Sequence, residues 1–301
     1  MTFITRFAPS PTGPLHLGHA YSALLASDMA AAEGGQFLLR IEDIDRSRCR
    51  ANWEEQIYDD LTWLGLTWPE PVMRQSSRVS TYEDALKTLW SQGLLYPCTC
   101  NRRDIAAAAG APQEGVPLHG PDGIIYPGTC RDVSDRTGPI PQDMPLRLDI
   151  ETAARVVPDL FRTAAQPYAK SAVFEETGAR PEGETGPVTF TADELRDTIG
   201  DVVLSRRDMG TSYHLSVVLD DAAQGVTHVV RGQDLFEATR IHVLLQALLG
   251  LPTPVYHHHK LIRDDAGKRL AKRDDARAIF KYRADGISAE QVRAIVGLRS
   301  P

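Results

Sequence analysis

The chain has 301 residues, which allows about two domains, and its 42% hydrophobic and 24% charged residues are ordinary for a soluble globular protein. The first residues carry no apolar signal core, and no apolar run reaches the roughly 18 residues that a membrane span needs, so we expect a cytoplasmic protein. A net charge of −7 argues mildly against a nucleic-acid partner, although such binding depends on local patches.

The chain opens with a pattern of strand, tight loop, helix and strand. Residues 2–8 read as a first strand, and the proline- and glycine-rich residues 9–14 build a tight loop. A helix is predicted from residue 15 to the glycines at 34 and 35, followed by a strand at 36–41. This βαβ unit predicts a parallel sheet.

The next two helices each carry an apolar stripe at near-helical spacing, which we assign to the core. The stripes are Trp53, Ile57, Leu61 and Leu64 in the first helix, and Tyr82, Leu86, Leu89 and Trp90 in the second. Residues 97–145 show little periodicity and read as an insertion, and residues 175–187 read as a mobile loop.

Strand and helix patterns return after residue 200. Strands are predicted at 202–204, 213–219, 226–230 and 256–262, and a helix at 235–249 with Gly250 as its cap. The order indicates a nucleotide-type α/β domain that an insertion interrupts.

Two histidines begin the first helix, directly after the first strand and its loop. His16 and His19 are three residues apart, so their imidazoles lie on one face at the helix N-terminus. Free backbone N–H groups and a partial positive charge make that end a natural seat for phosphate. Gly18 has no side chain, so the backbone can lie close to a ligand. A lone histidine is usually structural, but the combination indicates a nucleotide site.

Three of the four cysteines lie close together in the predicted insertion. Cys98, Cys100 and Cys130 offer three thiolates, and such a cluster in an intracellular protein favours a zinc site over a disulfide framework. Zinc usually takes four ligands, and on chemistry alone His119 is the better fourth donor. Three unlinked thiols are the alternative interpretation.

Three segments resemble the signatures of glutamyl-tRNA synthetases, a class I family. Residues 6–13 (RFAPSPTG) with His16 and His19 resemble the family's first signature, and residues 39–46 (LRIEDIDR) resemble the segment that follows it. Residues 267–273 (GKRLAKR) resemble its lysine loop, with departures at Arg269 and Ala271. The resemblance covers nearly the whole chain up to Asp275.

The resemblance implies that ATP, with Mg²⁺, lies between the two signatures and that the glutamate carboxylate attacks the α-phosphorus. The implied catalytic residues are His16, His19 and Lys272, and the implied ATP site consists of His16, Gly18, His19, Arg269 and Lys272. The implied glutamate site consists of Arg6, Phe7, Ala8, Pro9, Ser10, Glu42, Tyr213 and Arg231. Arginine suits two-pronged carboxylate binding, and Arg231 falls where a strand ends and a helix begins, the usual ligand position in open α/β sheets.

The resemblance also supplies a different fourth zinc ligand. In the family this ligand is the tyrosine of a Tyr-Pro-Gly-x-Cys segment, which is Tyr126 here. The set is then Cys98, Cys100, Tyr126 and Cys130 around one structural zinc ion. The gap from Cys100 to Tyr126 is longer than usual, so His119 remains the rival donor.

Two other polar segments allow only weaker functional interpretations. Residues 263–283 carry eight basic and four acidic side chains, which suits RNA phosphate binding or, equally, a solvated charged loop. The histidines at 257–259 lie in a predicted strand and alternate faces, so they suit strand packing beside the ATP site better than a metal site.

The acceptor of the activated glutamate is implied by the family resemblance together with the chain length. Only 301 − 272 = 29 residues follow Lys272, too few for the helical domains that read an anticodon. A shortened paralogue in the family has this architecture, and it esterifies glutamate to the queuosine base in the anticodon loop of tRNA(Asp). We expect that activity, in a monomer. The alternatives are the catalytic core of an ordinary synthetase that charges a tRNA 3′ end, and a non-catalytic paralogue that binds tRNA or a nucleotide.

The expected fold is therefore a Rossmann-type parallel-sheet core with a zinc-containing insertion and a short helical tail, without an anticodon-binding domain. The expected domains are the first half of the core at 1–96, the insertion at 97–195, the second half of the core at 196–262, and the lysine loop with its tail at 263–301.

Overall fold

The computed structural model describes residues 2–109, 119–157, 160, 171–178, 185–263 and 277–299. The strands are β1 (Ile4–Phe7), β2 (Gln36–Ile41), β3 (Met73–Arg74), β4 (Leu95–Pro97), β5 (His119–Gly120), β6 (Gly123–Ile124), β7 (Leu146–Leu148), β8 (Ser171–Glu176), β9 (Gly186–Thr191), β10 (Val203–Ser205), β11 (His228–Gly232) and β12 (Val255–His259). The helices are α1 (Leu17–Ala32), α2 (Ala51–Trp63), α3 (Val79–Ser91), α4 (Arg102–Ala109), α5 (Ile150–Val156), α6 (Ala192–Glu194), α7 (Tyr213–Ala223), α8 (Thr239–Leu249), α9 (Ile279–Ala284) and α10 (Ala289–Ile295).

Two parallel sheet segments meet at β1 and β11. One has the order β1-β2-β3 and the other the order β11-β12-β8-β9, in which β9 is the antiparallel member. The backbone N–H of Ile4 donates to Thr227 Oγ1 (2.8 Å), and Thr227 N–H donates to the Ile4 carbonyl (3.0 Å), which joins the two segments. Farther along, Arg6 contacts Val230, so β1 and β11 run in the same direction. The parallel core predicted from the sequence is confirmed.

The segment between the two halves of the core contains its own small sheets. Strands β10, β7 and β4 pair antiparallel in that order, and β5 forms a hairpin with β6. The pair β8 and β9 lies within the predicted insertion, yet β8 pairs with β12 of the second core segment. The proposed domain boundaries remain a prediction.

Apolar side chains from these elements form two main clusters in the described part of the chain. The predicted stripe of α3 is buried throughout, and in α2 Ile57, Leu61 and Leu64 are buried while Trp53 is only half-buried. Ile279 of α9 and Val292 of α10 join the cluster around α1, so the predicted helical tail packs onto the nucleotide-type core.

Three predicted elements differ from the observed ones. Residues 213–219, expected as a strand, begin helix α7, where Ser212 caps the helix by accepting a hydrogen bond from Leu215 N–H (3.4 Å). The loop expected at 175–187 is shorter than predicted, because Glu175 pairs with Pro187 in the β8–β9 ladder. Residues 179–184 lie outside the described part of the chain. The helix expected from 235 begins at Thr239, after a 3-10 turn, and its left-handed Gly250 cap is confirmed.

No described helix has the length and apolar character that crossing a membrane would require.

Candidate active site and metal centre

A cavity of about 540 Å³ opens at the carboxyl ends of β1, β11 and β12. Ten of the predicted site residues line it: Arg6, Phe7, Ala8, Ser10, His16, Gly18, His19, Glu42, Tyr213 and Arg231. Pro9 is not among the lining residues; its carbonyl accepts the Glu42 N–H (3.0 Å) and so ties the loop after β1 to the end of β2. Ser22, Asp234 and His259 also line the cavity and were not selected from the sequence.

His16 and His19 cap the N-terminus of α1 with their own side chains. His16 Nδ1 accepts from Gly18 N–H (3.1 Å), and His19 Nδ1 accepts from His16 N–H (3.1 Å), with the ring centroids 3.8 Å apart. An accepting Nδ1 carries no proton, so the proton of each neutral ring is on Nε2. The helix start therefore combines two oriented imidazole donors with the positive end of the helix.

Gly18 makes room for the His16 ring in this cap, a role that differs from the close ligand approach expected from the sequence. A Cβ at Gly18 would lie 3.0 Å from His16 Cε1 and 3.2 Å from His16 Nδ1. The space that the missing side chain leaves is filled by the His16 ring, so the glycine lets the ring fold back over the helix start.

Arg6 is held by a carboxylate on α7. Its Nε donates to Asp221 Oδ1 (2.9 Å), and the same oxygen accepts from Arg40 Nη1 (2.6 Å), both in the protein interior. Burial raises the pKa of Asp221, but the two arginines outweigh burial and leave the pKa below its ordinary value. Arg40 also donates to Glu42 (3.3 Å), whose pKa is raised by burial against the opposing effect of Arg40 and Arg6.

The neighbouring Asp220 anchors the same helix to α3. Its carboxylate accepts from Arg78 Nε (2.6 Å), Tyr82 OH (2.8 Å) and Gln75 Nε2 (2.9 Å). A buried carboxylate needs such partners, since an unpaired buried charge is costly. Adjacent aspartates on α7 thus fix both the position of the helix and the orientation of Arg6.

Arg231 lies one residue before the end of β11 and has a different set of partners. Its Nε donates to His258 Nε2 (3.0 Å), its Nη1 to His242 Nδ1 (3.0 Å) and its Nη2 to Thr239 Oγ1 (2.7 Å). Arg231 is 5% exposed and lines the cavity. Within the described part of the chain, no carboxylate pairs with it. Lys272 and Arg269, predicted to complete the ATP site, lie outside the described residues.

The predicted metal ligands meet in one cluster. The sulfur atoms of Cys98, Cys100 and Cys130 lie within 4.8 Å of one another, and Tyr126 OH lies 3.5 Å from Cys98 Sγ and 3.4 Å from Cys100 Sγ. His119, the rival fourth donor, is not part of this group. Three thiols converging on one point can hold a metal ion.

Hydrogen bonds favour a thiolate at Cys130. Burial raises the pKa of this thiol, but hydrogen bonds with Tyr126, Thr99 and Cys100 lower it to about 6. Arg147 lies 3.8 Å above the Tyr126 ring and places a positive charge beside the cluster. Both features suit ligands that bind a metal in their deprotonated form.

Comparison with known proteins decides the family. Residues 2–116 and 181–300 match the family described as tRNA synthetases class I (E and Q), catalytic domain. The chain belongs to this family. The glutamyl-Q tRNA(Asp) synthetase of Rhodobacter capsulatus is 63% identical over 298 residues, which are 98% of this chain and 100% of that protein. The protein of the same name from Nocardia farcinica is 42% identical over 97% of this chain and 82% of its own length.

Solved structures of synthetases have the same fold. The crystal structure of a glutamate tRNA ligase from Elizabethkingia meningosepticum, in complex with its amino acid, superposes with a TM-score of 0.66 and 25% identity. The match covers 91% of this chain and 52% of that one, so the chain spans about half the length of this synthetase. The resemblance drawn from the two signature regions is confirmed, and with it the expected α/β fold class.

Within this synthetase fold, several polar residues beside the cavity arginines were not selected as site residues from the sequence. Asp221, His242 and His258 come from α7, α8 and β12, and they meet Arg6 or Arg231 only through the fold. Arg40 had a weak signal, because a charged residue inside the apolar strand 36–41 requires a buried counter-ion.

Proposed function

We propose that this chain activates L-glutamate with ATP and transfers it to the queuosine base in the anticodon loop of tRNA(Asp). The observation that carries the activation step is the single cavity that contains both the His16–His19 helix start and Arg231. The acceptor follows from the relatives, which bear the name glutamyl-Q tRNA(Asp) synthetase and align over nearly the full chain. A cytoplasmic location and a monomeric state remain predictions.

In the first step, a glutamate carboxylate oxygen attacks the α-phosphorus of ATP, and the bond from that phosphorus to the bridging oxygen of pyrophosphate breaks. The Nε2–H groups of His16 and His19 donate to the α-phosphate oxygens as negative charge builds up on them. Donors that are fixed before the reaction stabilise this charge without a reorganisation cost. Lys272 and Arg269 neutralise the departing pyrophosphate, and Mg²⁺ accompanies the phosphates, held mainly by phosphate oxygens and water.

Arg231 binds the side-chain carboxylate of glutamate, because it is the cavity arginine whose described partners are uncharged. Glu42 and Tyr213 receive the α-amino group, and Arg6 with the backbone of residues 7–10 closes the site. In the second step, a hydroxyl oxygen of the queuosine cyclopentenediol attacks the glutamyl carbonyl carbon and loses its proton. The bond from that carbon to the phosphate oxygen breaks, and AMP leaves with the bonding electrons. That diol is chemically similar to the ribose diol that ordinary synthetases esterify.

The cysteine cluster holds one structural zinc ion in this proposal. Tetrahedral zinc with bonds of about 2.3 Å to sulfur places its ligand atoms roughly 3.8 Å apart, and Cys100 Sγ lies 3.5 Å from Cys130 Sγ. Cys98, Cys100, Tyr126 and Cys130 together supply four ligand atoms at comparable spacing. A closed set of four leaves no open position, so the metal stabilises the fold rather than activating water.

The deciding experiment follows radiolabelled glutamate onto RNA. Three acceptors are compared: tRNA(Asp) with queuosine, the same tRNA without queuosine, and queuosine-containing tRNA(Asp) that lacks its 3′-terminal adenosine. We expect transfer to the first and third but not the second. Label on the 3′-terminal adenosine of tRNA(Glu) would instead identify an ordinary synthetase core. Absence of glutamate-dependent pyrophosphate exchange would indicate a paralogue that binds without catalysing.

A further inference from the structure

The partners of Arg231 dictate the protonation of two buried histidines. A guanidinium can only donate hydrogen bonds, so His242 Nδ1 and His258 Nε2, each 3.0 Å from an Arg231 nitrogen, must offer lone pairs. Both rings are 2% exposed or less. Each imidazole therefore carries its single proton on the nitrogen that faces away from Arg231.

The proton on His242 Nε2 has an acceptor in the next histidine. His242 Nε2 lies 3.1 Å from His214 Nδ1, so His214 in turn holds its proton on Nε2, which lies 3.6 Å from an Asp122 carboxylate oxygen. Donation thus runs in one direction, from Arg231 to His242 and from His242 to His214, whose Nε2 faces the turn between β5 and β6. Both ring nitrogens of His242 and the Nδ1 of His214 are thereby assigned as donor or acceptor.

His258 is fixed from its other side by Glu176. The His258 Nδ1–H donates to the Glu176 carboxylate, which also accepts the backbone N–H groups of His258 (2.9 Å) and Gly178 (2.7 Å). These donors hold the charge of Glu176 in place, although it is fully buried. The carboxylate therefore lies behind the imidazole and not on Arg231 itself.

As a result, the two cavity arginines differ in whether a protein carboxylate neutralises their charge. Arg6 is paired directly with the carboxylate of Asp221, whereas among the described residues the nitrogen atoms of Arg231 have only neutral acceptors. A direct carboxylate would satisfy the Arg231 donors but would also cancel its attraction for an anionic substrate. Neutral imidazoles satisfy the donors and leave the positive charge available.

We propose that His242 and His258 are positioning residues that orient the Arg231 guanidinium and keep it without a protein counter-ion, so that it binds the side-chain carboxylate of glutamate. This inference rests on the proposed role of Arg231 in glutamate binding. Four of the five guanidinium N–H groups are accounted for by His258, His242, Thr239 and the Leu235 carbonyl. One Nη1 N–H thus remains for the substrate.

The surroundings of both rings favour the neutral form. The charged and titratable groups facing His242 are Arg231 from β11, His214 and Tyr213 from α7, Arg6 from β1 and His258 from β12. Burial and then Arg231 hold the pKa of His242 well below its ordinary value. Burial also lowers the pKa of His258, to about 4, against the opposing hydrogen bond to Glu176. Both rings are neutral at pH 7.

The test uses substitutions that separate hydrogen bonding from charge. In His242→Asn the amide oxygen replaces Nδ1 as acceptor, in His242→Asp a carboxylate does so, and in His242→Leu no acceptor is left. Glutamate KM in pyrophosphate exchange should stay within about 3-fold for Asn and rise at least about 10-fold for Asp and Leu. KM for ATP and kcat at saturating glutamate should change little, and the preference for glutamate over glutamine should fall most in His242→Asp.

The same comparison applies to His258, where His258→Gln keeps an acceptor at the Nε2 position and His258→Leu removes it. His257→Leu is the matched control, because His257 lies on the same strand but contacts Thr177 (3.0 Å) and not Arg231. Thermal melting of each variant shows whether it is folded. Equal glutamate KM in the Asn, Asp and Leu variants of His242, at unchanged melting temperature, would overturn the inference.

A double-mutant cycle covers the case in which a variant is destabilised. If His242 acts through Arg231, then His242→Leu should add little to the glutamate KM of Arg231→Ala, whereas independent effects would multiply. Multiplying effects would contradict the inference. The outcomes are distinguishable from failure of the proposed glutamate activation, since that failure would abolish exchange in the unmodified protein. The identity of the tRNA acceptor does not enter this test.

Discussion

Arg6 and Arg231 line the same cavity, but their partners give them different chemical properties. The carboxylate of Asp221 neutralises Arg6, while Arg231 retains its charge. Both arginines were selected from the sequence as glutamate-binding residues, and the structure brings both to the cavity. Their division of labour depends on partners that are distant in sequence, since 215 positions separate Arg6 from Asp221.

Replacing Arg231 should weaken the use of glutamate selectively. Removing one partner of a buried charge interaction typically costs about 2 kcal/mol or more, so Arg231→Ala should lower kcat/KM for glutamate by about 30-fold or more. KM for ATP should change little. Pyrophosphate exchange measures both, with Arg231→Lys as the variant that keeps the charge but loses the planar guanidinium and its fixed hydrogen bonds. Equal exchange with glutamine and glutamate in the unmodified protein would show that Arg231 has another role.

The two histidines at the helix start should affect the chemical step instead. His16→Ala and His19→Ala should each slow pyrophosphate exchange by about 10²-fold, the usual effect of removing a transition-state donor, with little change in glutamate KM. Lys272→Ala should behave likewise. Because His16 also caps α1, His16→Asn is the control: asparagine caps well but provides no imidazole Nε2–H. Exchange at the original rate in all three alanine variants would place the nucleotide site elsewhere.

Single residues could be predicted from the sequence where a short local motif carried them. His16, Gly18 and His19 form such a motif, and the structure places all three at the cavity. Asp221, His242 and Glu176 could not be predicted, because aspartate, histidine and glutamate occur throughout the chain. Only the fold brings Asp221 to Arg6, His242 to Arg231 and Glu176 to His258.

At the scale of helices and strands, the sequence predicted an element where its hydrophobic pattern agreed with a residue type that ends helices or strands. The strand predicted at 36–41 is β2, and Gly250 ends α8 in the left-handed conformation as predicted. Helix α7 was taken for a strand because it is buried on most of its faces, from Leu215 to Val218, so no polar face reveals the helical period. Burial that depends on neighbouring elements cannot be read from a local window.

Helix α2 carries a buried acid that should make its stability depend on pH. Burial raises the pKa of Asp60 from 3.8 to about 6; Oδ1 accepts from Gln56 (2.9 Å), and Oδ2 has no hydrogen-bond partner among the described residues. A pKa raised by folding means that the folded protein binds the proton more tightly than the unfolded chain. The stabilisation from protonation is therefore complete below pH 3.8 and is lost as the pH rises through about 6.

Asp60→Asn removes this dependence, because the amide stays neutral. We expect the variant to melt about 2–4 °C above the unmodified protein at pH 8, the shift that 1 kcal/mol produces in a large domain, and the difference to shrink at pH 5. Asp59→Asn is the matched control on the neighbouring exposed position, which pairs with Arg283 (3.0 Å). A difference in melting temperature that is the same at both pH values would show that folding does not raise the pKa of Asp60 into this range.

At the scale of the whole molecule, the core and the cysteine cluster are joined through Asp201. Its carboxylate accepts from Tyr96 OH and from Arg131 Nε (2.8 Å), while its backbone carbonyl accepts from Arg147 (2.7 Å), whose guanidinium lies over the Tyr126 ring. The sequence predicted the cluster from its three cysteines and its fourth member from the family resemblance. It did not predict Asp201, because this residue lies 71 positions after Cys130 in the chain.

Removing the metal should therefore destabilise the insertion without altering the glutamate cavity, whose lining includes none of the four ligands. Protein purified without added metal should contain about one zinc ion per chain, and Cys130→Ser should lose it and melt at a lower temperature. Tyr126→Phe keeps three thiolates but loses the fourth ligand, so it should bind zinc more weakly and still support pyrophosphate exchange at 25 °C. Elemental analysis and thermal melting check these outcomes, with Cys49→Ser as the control outside the cluster. A metal-free sample that melts at the same temperature as the zinc-loaded protein would show that the thiols pack together without a metal.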